Sequence, residues 1–392
     1  MIKITVNIIL LSAYFMTFAC ASTQTDAPKS LKMGAEQTNL YVSDLKGKTI
    51  ALVVNHTSTI GKTHLADSLL SLGIKIKTIF APEHGFRGTA DAGEHVANGI
   101  DKKTGLPIVS LYGSNKKPSA AQLEGIDVVI FDIQDVGARF YTYTSTMHYV
   151  MEACAEQSKK LLILDRPNPN GHYVDGQVLD KKFASFVGLN PVPVVHGCTV
   201  GELAQMINGE GWLSGNKKCN IQIIKCLGYK HSTAYNPPIA TSPNLPNLQS
   251  MLLYPSICFF EGTEVSVGRG TDKQFQVIGS PNPKNGSFTF TPEAKPGAKN
   301  PPQKGHLCYG DDLSKMDARS QEFTLKYVID YYQKSNDKTK FFSSPSFFDK
   351  LAGSDSLRKQ IIAGLTETQI RASWKADLDK YRAIRKKYLM YE

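Results

Sequence analysis

The chain has none of the short signatures that announce a nucleotide or a metal site. No GxGxxG follows the first predicted strand and no P-loop occurs, so a glycine cradle for phosphates does not organise this sequence. The histidines show no HExxH or other ligand spacing, and the cysteines show no CxxC and no zinc pattern. His56, His84, His95 and Asp132 could gather around an ion, but no spacing supports it, and the reading carries no metal and no cofactor. Long basic runs are missing as well. Lysine and arginine outnumber aspartate and glutamate by 45 to 35, a formal net charge of +10, yet nothing exceeds short clusters such as Lys116-Lys117 or Arg385-Lys386-Lys387. So diffuse a positive field argues against nucleic acid and suits an anionic substrate or an envelope polymer.

Nor is there a hydrophobic run long enough to cross a bilayer comfortably. The apolar segment Ile4 to Phe18 follows Lys3 and ends in Phe18-Ala19-Cys20-Ala21-Ser22, which reads as an export signal with a loose lipobox. The expectation is an exported protein, periplasmic or outer-membrane, that touches the membrane only through a lipid on Cys20. Cleavage after Ala21, giving a soluble periplasmic protein, is the alternative. Residues 21–40 are then expected to be a tether. Six cysteines remain, and a core this large needs no covalent staples, so most are expected to be buried small hydrophobes, with Cys219 and Cys226 the one pair considered for bridging.

At 392 residues, with 41% hydrophobic and 20% charged residues, two globular domains are expected. Residues 41–238 read as an α/β domain with a Rossmann-like, mostly parallel sheet. Its strands are read at Thr49 to Asn55, a nearly continuous apolar run, at Ile74 to Phe80, where apolar and polar residues alternate as in a strand with one buried face, and at Leu106 to Gly113, Ile126 to Asp132, Lys160 to Asp165 and Ile221 to Lys225. Helical segments lie between them, near His64 to Leu72, from Ser119, over Ser145 to Gln157, and over Thr199 to Asn208, where Thr199 and Glu202 have capping-box spacing. Near Tyr235 to Asn247 the texture turns to proline, asparagine and serine, and residues 239–392 read as a smaller α+β domain that completes the cleft. Its helices are expected over Gln321 to Gln333 and Ser356 to Tyr388, with a loop from Asn300 to Gly310.

The densest chemistry follows the second strand. Pro82-Glu83-His84-Gly85-Phe86-Arg87-Gly88, with Glu94 and His95 soon after, sets acids, histidines and an arginine among glycines. Asn55, His56, Asp132, Gln134, Asp135, Arg139, Asp165, Arg166 and Asn168 also lie at or just after predicted strand ends. In a parallel sheet those ends share one edge, so these groups are expected to converge on one cleft. Glu83 can serve there as general acid or base, with Asp132, Asp135, Glu94 or Glu264 as a second carboxylate; two carboxylates across a cleft are the minimal equipment for glycoside cleavage. Arginines suit a substrate carboxylate, and Arg87, Arg139, Arg166 and Arg269 are the candidates. Tyr141 and Tyr143 either stack on a sugar ring or pack the core.

These motifs, namely Pro82 to Gly88, Asp132 to Arg139 with Tyr141-Thr142-Tyr143, Asp165 to Pro169, and Glu261-Gly262-Thr263 through Arg269-Gly270-Thr271, resemble the exo-β-N-acetylmuramidases, formerly a domain of unknown function. The resemblance runs from about Lys46 to the C-terminus. It implies a Rossmann-like domain and a smaller C-terminal domain with the active site between them, removal of N-acetylmuramic acid from the non-reducing end of peptidoglycan fragments, and Glu83 as the catalytic residue. Asp132 and Glu264 are then the leading second carboxylates, and His84 orients Glu83 or meets the sugar. The rival readings are a non-catalytic envelope lipoprotein that binds such fragments, and a metal-dependent hydrolase of the same polymer.

Overall fold

A computed structural model describes residues 30–86 and 98–392. The first strand, β1 (Thr49–Val54), is apolar and buried along nearly its whole length, as a parallel strand covered on both faces must be. A small hairpin, β2 (Thr59–Ile60) with β3 (Thr63–His64), and a helix, Leu65–Ser71, lead to β4 (Lys75–Ala81). Then follow β5 (Gly99–Ile100), β6 (Pro107–Ser110), β7 (Val128–Asp132), β8 (Lys160–Leu164) and β9 (Asn220–Ile224). These seven main-sheet strands lie in the order β5-β6-β4-β1-β7-β8-β9, with β5 antiparallel to β6 and the other pairs parallel.

This order determines where a site can form. The chain leaves β1 for β4 and β6 on one side, then returns to place β7 against the other side of β1. Connections that leave a sheet in opposite directions open a crevice at the carboxyl ends of the strands where they part. Here those ends are Val54, Ala81 and Asp132, and Glu83 lies two residues past the second of them.

The rest of the chain builds the opposite wall. A helix, Leu248–Ile257, precedes a three-stranded antiparallel sheet of β10 (Val277–Ser280), β11 (Phe288–Phe290) and β12 (Cys308–Asp312) in the order β10-β12-β11. Helices Lys326–Lys334, Pro345–Ala352, Ser356–Ile362 and Glu367–Lys386 complete it. Strand β12 begins inside the loop expected over Asn300 to Gly310, and the helix Pro345–Ala352 stands where no element is expected. One continuous core joins the two parts: Phe140 meets Tyr254 and Phe259 edge to face, with ring centroids 5.1 and 5.8 Å apart. The last helix then returns to the parallel sheet. Tyr381 donates to the His196 carbonyl at 2.7 Å, Arg385 to that of Gly197 at 3.1 Å, and Tyr391 to Asp165 at 2.6 Å.

The tether expected over residues 21–40 does not extend through its second half. Gly34 donates to the Asp165 carbonyl at 2.9 Å, Lys32 pairs with Leu227, and Ala35 is fully buried beneath the Tyr41 hydroxyl, so this stretch is part of the fold. Residues 1–29, with the signal and Cys20, lie outside the described residues. The six described cysteines are all free and buried, and the bridge considered for Cys219 and Cys226 is not made. Among the described residues no helix is long and apolar enough to cross a membrane.

Candidate functional site

The turn after β4 presents Glu83. Pro82 ends the strand, and the Gly85 amide closes the turn on the Pro82 carbonyl at 2.9 Å. Gly85 takes φ +78°, as glycine readily does, but His84 before it also sits in the left-handed region at φ +68°. A non-glycine residue there costs on the order of 1–3 kcal/mol, a strain that tends to persist at functional sites. The turn directs the Glu83 side chain toward the helix Tyr143–Glu156, where the Thr142 hydroxyl donates to Glu83 Oε2 at 2.6 Å. The Tyr143 hydroxyl approaches the Glu83 carbonyl at 3.5 Å.

Glu83 and His84 line a cavity of about 890 Å³ between the sheet edge and the C-terminal wall. Its lining falls into two chemical groups. Tyr112, Phe140, Tyr141, Tyr143, Phe186, Tyr254, Phe275 and Phe347 bring aromatic surface, which packs against the C–H faces of a sugar ring. Lys116, Arg269 and Lys299 bring positive charge against two acids, Glu83 and Glu261. Glu261 and Arg269 form an ion pair, with both Nε (2.7 Å) and Nη2 (2.6 Å) of the arginine on one carboxylate oxygen. The guanidinium carbon also lies 5.1 Å from the centre of the Phe275 ring. Burial works against the arginine's charge and Glu261 outweighs it, so its pKa stays above the ordinary value.

Several residues gathered from the strand ends are not on this cavity. Asp132 is fully buried in a two-pronged ion pair with Arg166, at 2.5 Å to Nε and 2.9 Å to Nη2, and the same arginine reaches the Thr59 carbonyl at 3.2 Å. Each partner satisfies the other, which leaves Asp132 holding the sheet edge instead of serving as a second acid. Glu264 also turns elsewhere: the Ser335 hydroxyl donates to it at 3.1 Å, and it does not line the cavity. Glu261, three residues earlier and within the short 3₁₀ turn Cys258–Gly262, takes the position on the cavity wall.

Arg139 is almost fully buried and meets no carboxylate among the described residues. It donates to three carbonyls, of Gln177 (2.6 Å), Val192 (2.9 Å) and Leu351 (2.9 Å), and so clamps the C-terminal helices to the parallel domain. Burial lowers its pKa to about 9. Gln134 is used up on the Asp135 and Pro167 carbonyls and the Tyr235 hydroxyl, and Asn168 on the Cys198 carbonyl and the Asn170 amide. Asn55 accepts from the amide and hydroxyl of Thr57, and His56 lies 2.7 Å from the Ala240 carbonyl. Burial, and then the neighbouring His84 and His64, hold the His56 pKa below its ordinary value. Tyr141 and Tyr143 do line the cavity, packed edge to face at 4.9 Å, with the Tyr141 hydroxyl on the Thr241 carbonyl at 2.7 Å.

Asp135 is a separate case. One oxygen accepts the Gly137 amide at 2.7 Å and has His196 Nε2 3.8 Å away, and the other has no hydrogen-bond partner among the described residues. Burial raises the carboxyl to about 7 and lowers the imidazole to about 3, the latter helped by the nearby Arg385 and Arg139, so the two form a neutral pair and not an ion pair. His196 Nδ1 accepts the Cys198 amide, which puts its proton on Nε2, toward Asp135.

Arg87, Glu94 and His95 lie outside the described residues. Among the described residues no group of three or more His, Cys, Asp or Glu side chains is placed to hold a metal ion. Sequence reasoning missed Lys116, Glu261 and Lys299 as site residues. Glu261 sat within a motif already noted; the two lysines belong to distant loops and carry no local signal.

The family model described as "Exo-beta-N-acetylmuramidase NamZ, N-terminal" matches residues 50–249, and its C-terminal counterpart matches residues 252–391. The peptidoglycan beta-N-acetylmuramidase NamZ of Bacillus subtilis (strain 168) is 37% identical, over 96% of this chain and 97% of that one. Two crystal structures of DUF1343 family proteins from Bacteroides fragilis NCTC 9343 share the fold. One has a TM-score of 0.86 at 49% identity, the other 0.79 at 28%; each alignment covers 92% of this chain and 99% of the other. The chain belongs to the exo-beta-N-acetylmuramidase NamZ family, a family of glycosidases.

Proposed function

We propose that this protein is an exo-acting muramidase that releases N-acetylmuramic acid from the non-reducing end of peptidoglycan fragments, with Glu83 as the general acid. The observation that carries the reading is a carboxyl fixed on the wall of an aromatic, cation-bearing cavity by the Thr142 hydroxyl. Glycoside cleavage needs a proton delivered to the leaving oxygen, and Glu83 supplies it. The reaction also needs a second carboxylate to activate water or to attack, and Glu261, ion-paired with Arg269 on the cavity wall, takes this role. The lactyl group of muramic acid adds a carboxylate to the sugar, which the excess of cations over acids on the lining accommodates. Aromatic faces hold the ring.

The relative in Bacillus subtilis is named for action on peptidoglycan, which supports the same polymer as substrate here. The protein is exported and anchored by a lipid at Cys20, a reading supported by the apolar run before it and the small residues around it. Mass spectrometry of the mature protein should find an acylated Cys20; a soluble product beginning at Ser22 would contradict the anchor. For the activity, the purified protein is given two disaccharides, one ending in N-acetylmuramic acid and one in N-acetylglucosamine at the non-reducing end. Free N-acetylmuramic acid from the first alone is the expected product. Hydrolysis of both, or cleavage inside longer glycans, would refute an exo-acting muramidase.

A further inference from the structure

We infer that Thr142 is a positioning residue for the reaction: its hydroxyl is withheld from the helix it begins and holds the Glu83 carboxyl for proton delivery. The inference rests on Glu83 being the general acid. Threonine before the first turn of a helix ordinarily turns its oxygen back to accept a backbone N–H. Ser119, Thr199, Asn247 and Thr366 all do so in this fold, each within a reciprocal capping box. Thr142 does not. Its backbone is already helical, at φ −67° and ψ −9°, and no amide of the helix reaches its side chain. The hydroxyl donates to Glu83 Oε2 at 2.6 Å, across 59 residues of sequence.

The helix Tyr143–Glu156 does not depend on that hydroxyl. The amides of Ser145 and Thr146 both reach the Thr142 carbonyl at 3.0 Å, and most residues of the first two turns are buried against the core. Removing the hydroxyl therefore takes little from the fold. It takes much from Glu83, whose backbone the turn fixes but whose carboxyl stands at the end of three rotatable bonds. A proton donor must lie within hydrogen-bond reach of the leaving oxygen, and a misplacement of about 1 Å costs on the order of a hundredfold in rate. The arrangement thus predicts a residue that matters for turnover while mattering little for stability, the opposite of a capping threonine.

The test compares Thr142→Val, which keeps the shape and loses the hydroxyl, with Thr142→Ser, which keeps the hydroxyl, and with Glu83→Gln. Values of kcat and KM are measured on the muramic-acid-terminated disaccharide, together with the urea midpoint of unfolding. Thr142→Val should lose about ten- to a hundredfold in kcat, with KM within about threefold and an unchanged midpoint. Thr142→Ser should recover kcat to within about threefold of the native protein. The inference is overturned if Thr142→Val keeps its kcat while Glu83→Gln is inactive. It is also overturned if serine fails to rescue, or if the valine variant loses stability but not turnover per folded molecule. Full turnover by Glu83→Gln would instead remove the premise, an outcome distinct from these.

Discussion

Replacing Asp135 by asparagine should make the protein more stable at neutral pH and leave it almost unchanged in acid. The side chain is buried, and the oxygen that accepts the Gly137 amide also faces a neutral His196. Its carboxyl is raised by burial from an ordinary 3.8 to about 7, so the folded protein holds a proton there that the unfolded chain releases above pH 4. A raised folded-state pKa gives stability that is fully present below the unfolded value and is lost as pH rises through the folded one. Over about three pH units, at about 1.4 kcal/mol each, the loss is about 4 kcal/mol, complete a little above pH 7. His196 works in the opposite sense. Its pKa falls from 6.5 to about 3, so it weakens the fold as pH drops from 6.5 toward 3, and in the native protein the two slopes largely cancel between pH 4 and 6.5. Asparagine has the same shape, still accepts from Gly137 and does not titrate. Urea unfolding of both proteins at intervals from pH 4 to 8 isolates Asp135, because every other group is common to the two. The variant should gain on the native protein by about 4 kcal/mol between the two ends of that range. Parallel curves would refute both the protonated state of Asp135 and its neutral pairing with His196.

Two further substitutions separate residues that hold the fold from residues that meet substrate. Asp132→Asn should cost about 3–5 kcal/mol in urea unfolding, because it leaves the Arg166 guanidinium buried without its counter-charge, whereas the double replacement Asp132→Leu with Arg166→Met should recover most of that loss. Losses that simply add would show that the two do not act as a pair. Arg269→Met should raise KM by about tenfold or more for substrates carrying the lactyl carboxylate, relative to an analogue in which that group is reduced to the alcohol. An equal rise for both would place Arg269 outside carboxylate recognition.

The parallel sheet was legible because β1, β7 and β8 carry the nearly unbroken apolar runs that strands buried on both faces need, while β4 alternates apolar with polar residues and β9 is a short Ile-rich segment. The helix beginning after Thr199 was legible to the residue, since a capping box is a local device, and here it is made between Thr199 and Glu202. Short elements of the C-terminal part, such as β12 and the helix Pro345–Ala352, owe their form to packing, which no local pattern announces. The strand-end rule found Glu83 and also gathered residues that do not face the cavity. Asp132, Asp165, Arg166 and Asn168 stand at the same edge, but Asp132 and Arg166 satisfy each other, Asp165 accepts the Thr199 and Tyr391 hydroxyls, and Asn168 donates to the Cys198 carbonyl. Which strand ends stay open depends on a contact across some two hundred residues, and that is invisible in the segments themselves. Glu264 was among the expected second carboxylates and Glu261 was not, yet Glu261 is the one that lines the cavity, for a smaller reason. A 3₁₀ turn ends at Gly262 and the backbone becomes extended at Thr263, which sends the two side chains to different surroundings.

The claim most open to direct test is that Glu83 donates the proton. A general acid matters in proportion to how badly the leaving group needs protonation. The measurement is kcat/KM of the native protein and of Glu83→Gln on two substrates: a muramic-acid-terminated disaccharide, whose leaving group is a sugar hydroxyl, and an aryl β-muramide, whose leaving group is an acidic phenol. Glu83→Gln should lose on the order of 10²–10⁴-fold on the disaccharide and far less on the aryl glycoside. Equal losses on the two, or full activity on the disaccharide, would contradict Glu83 as the acid.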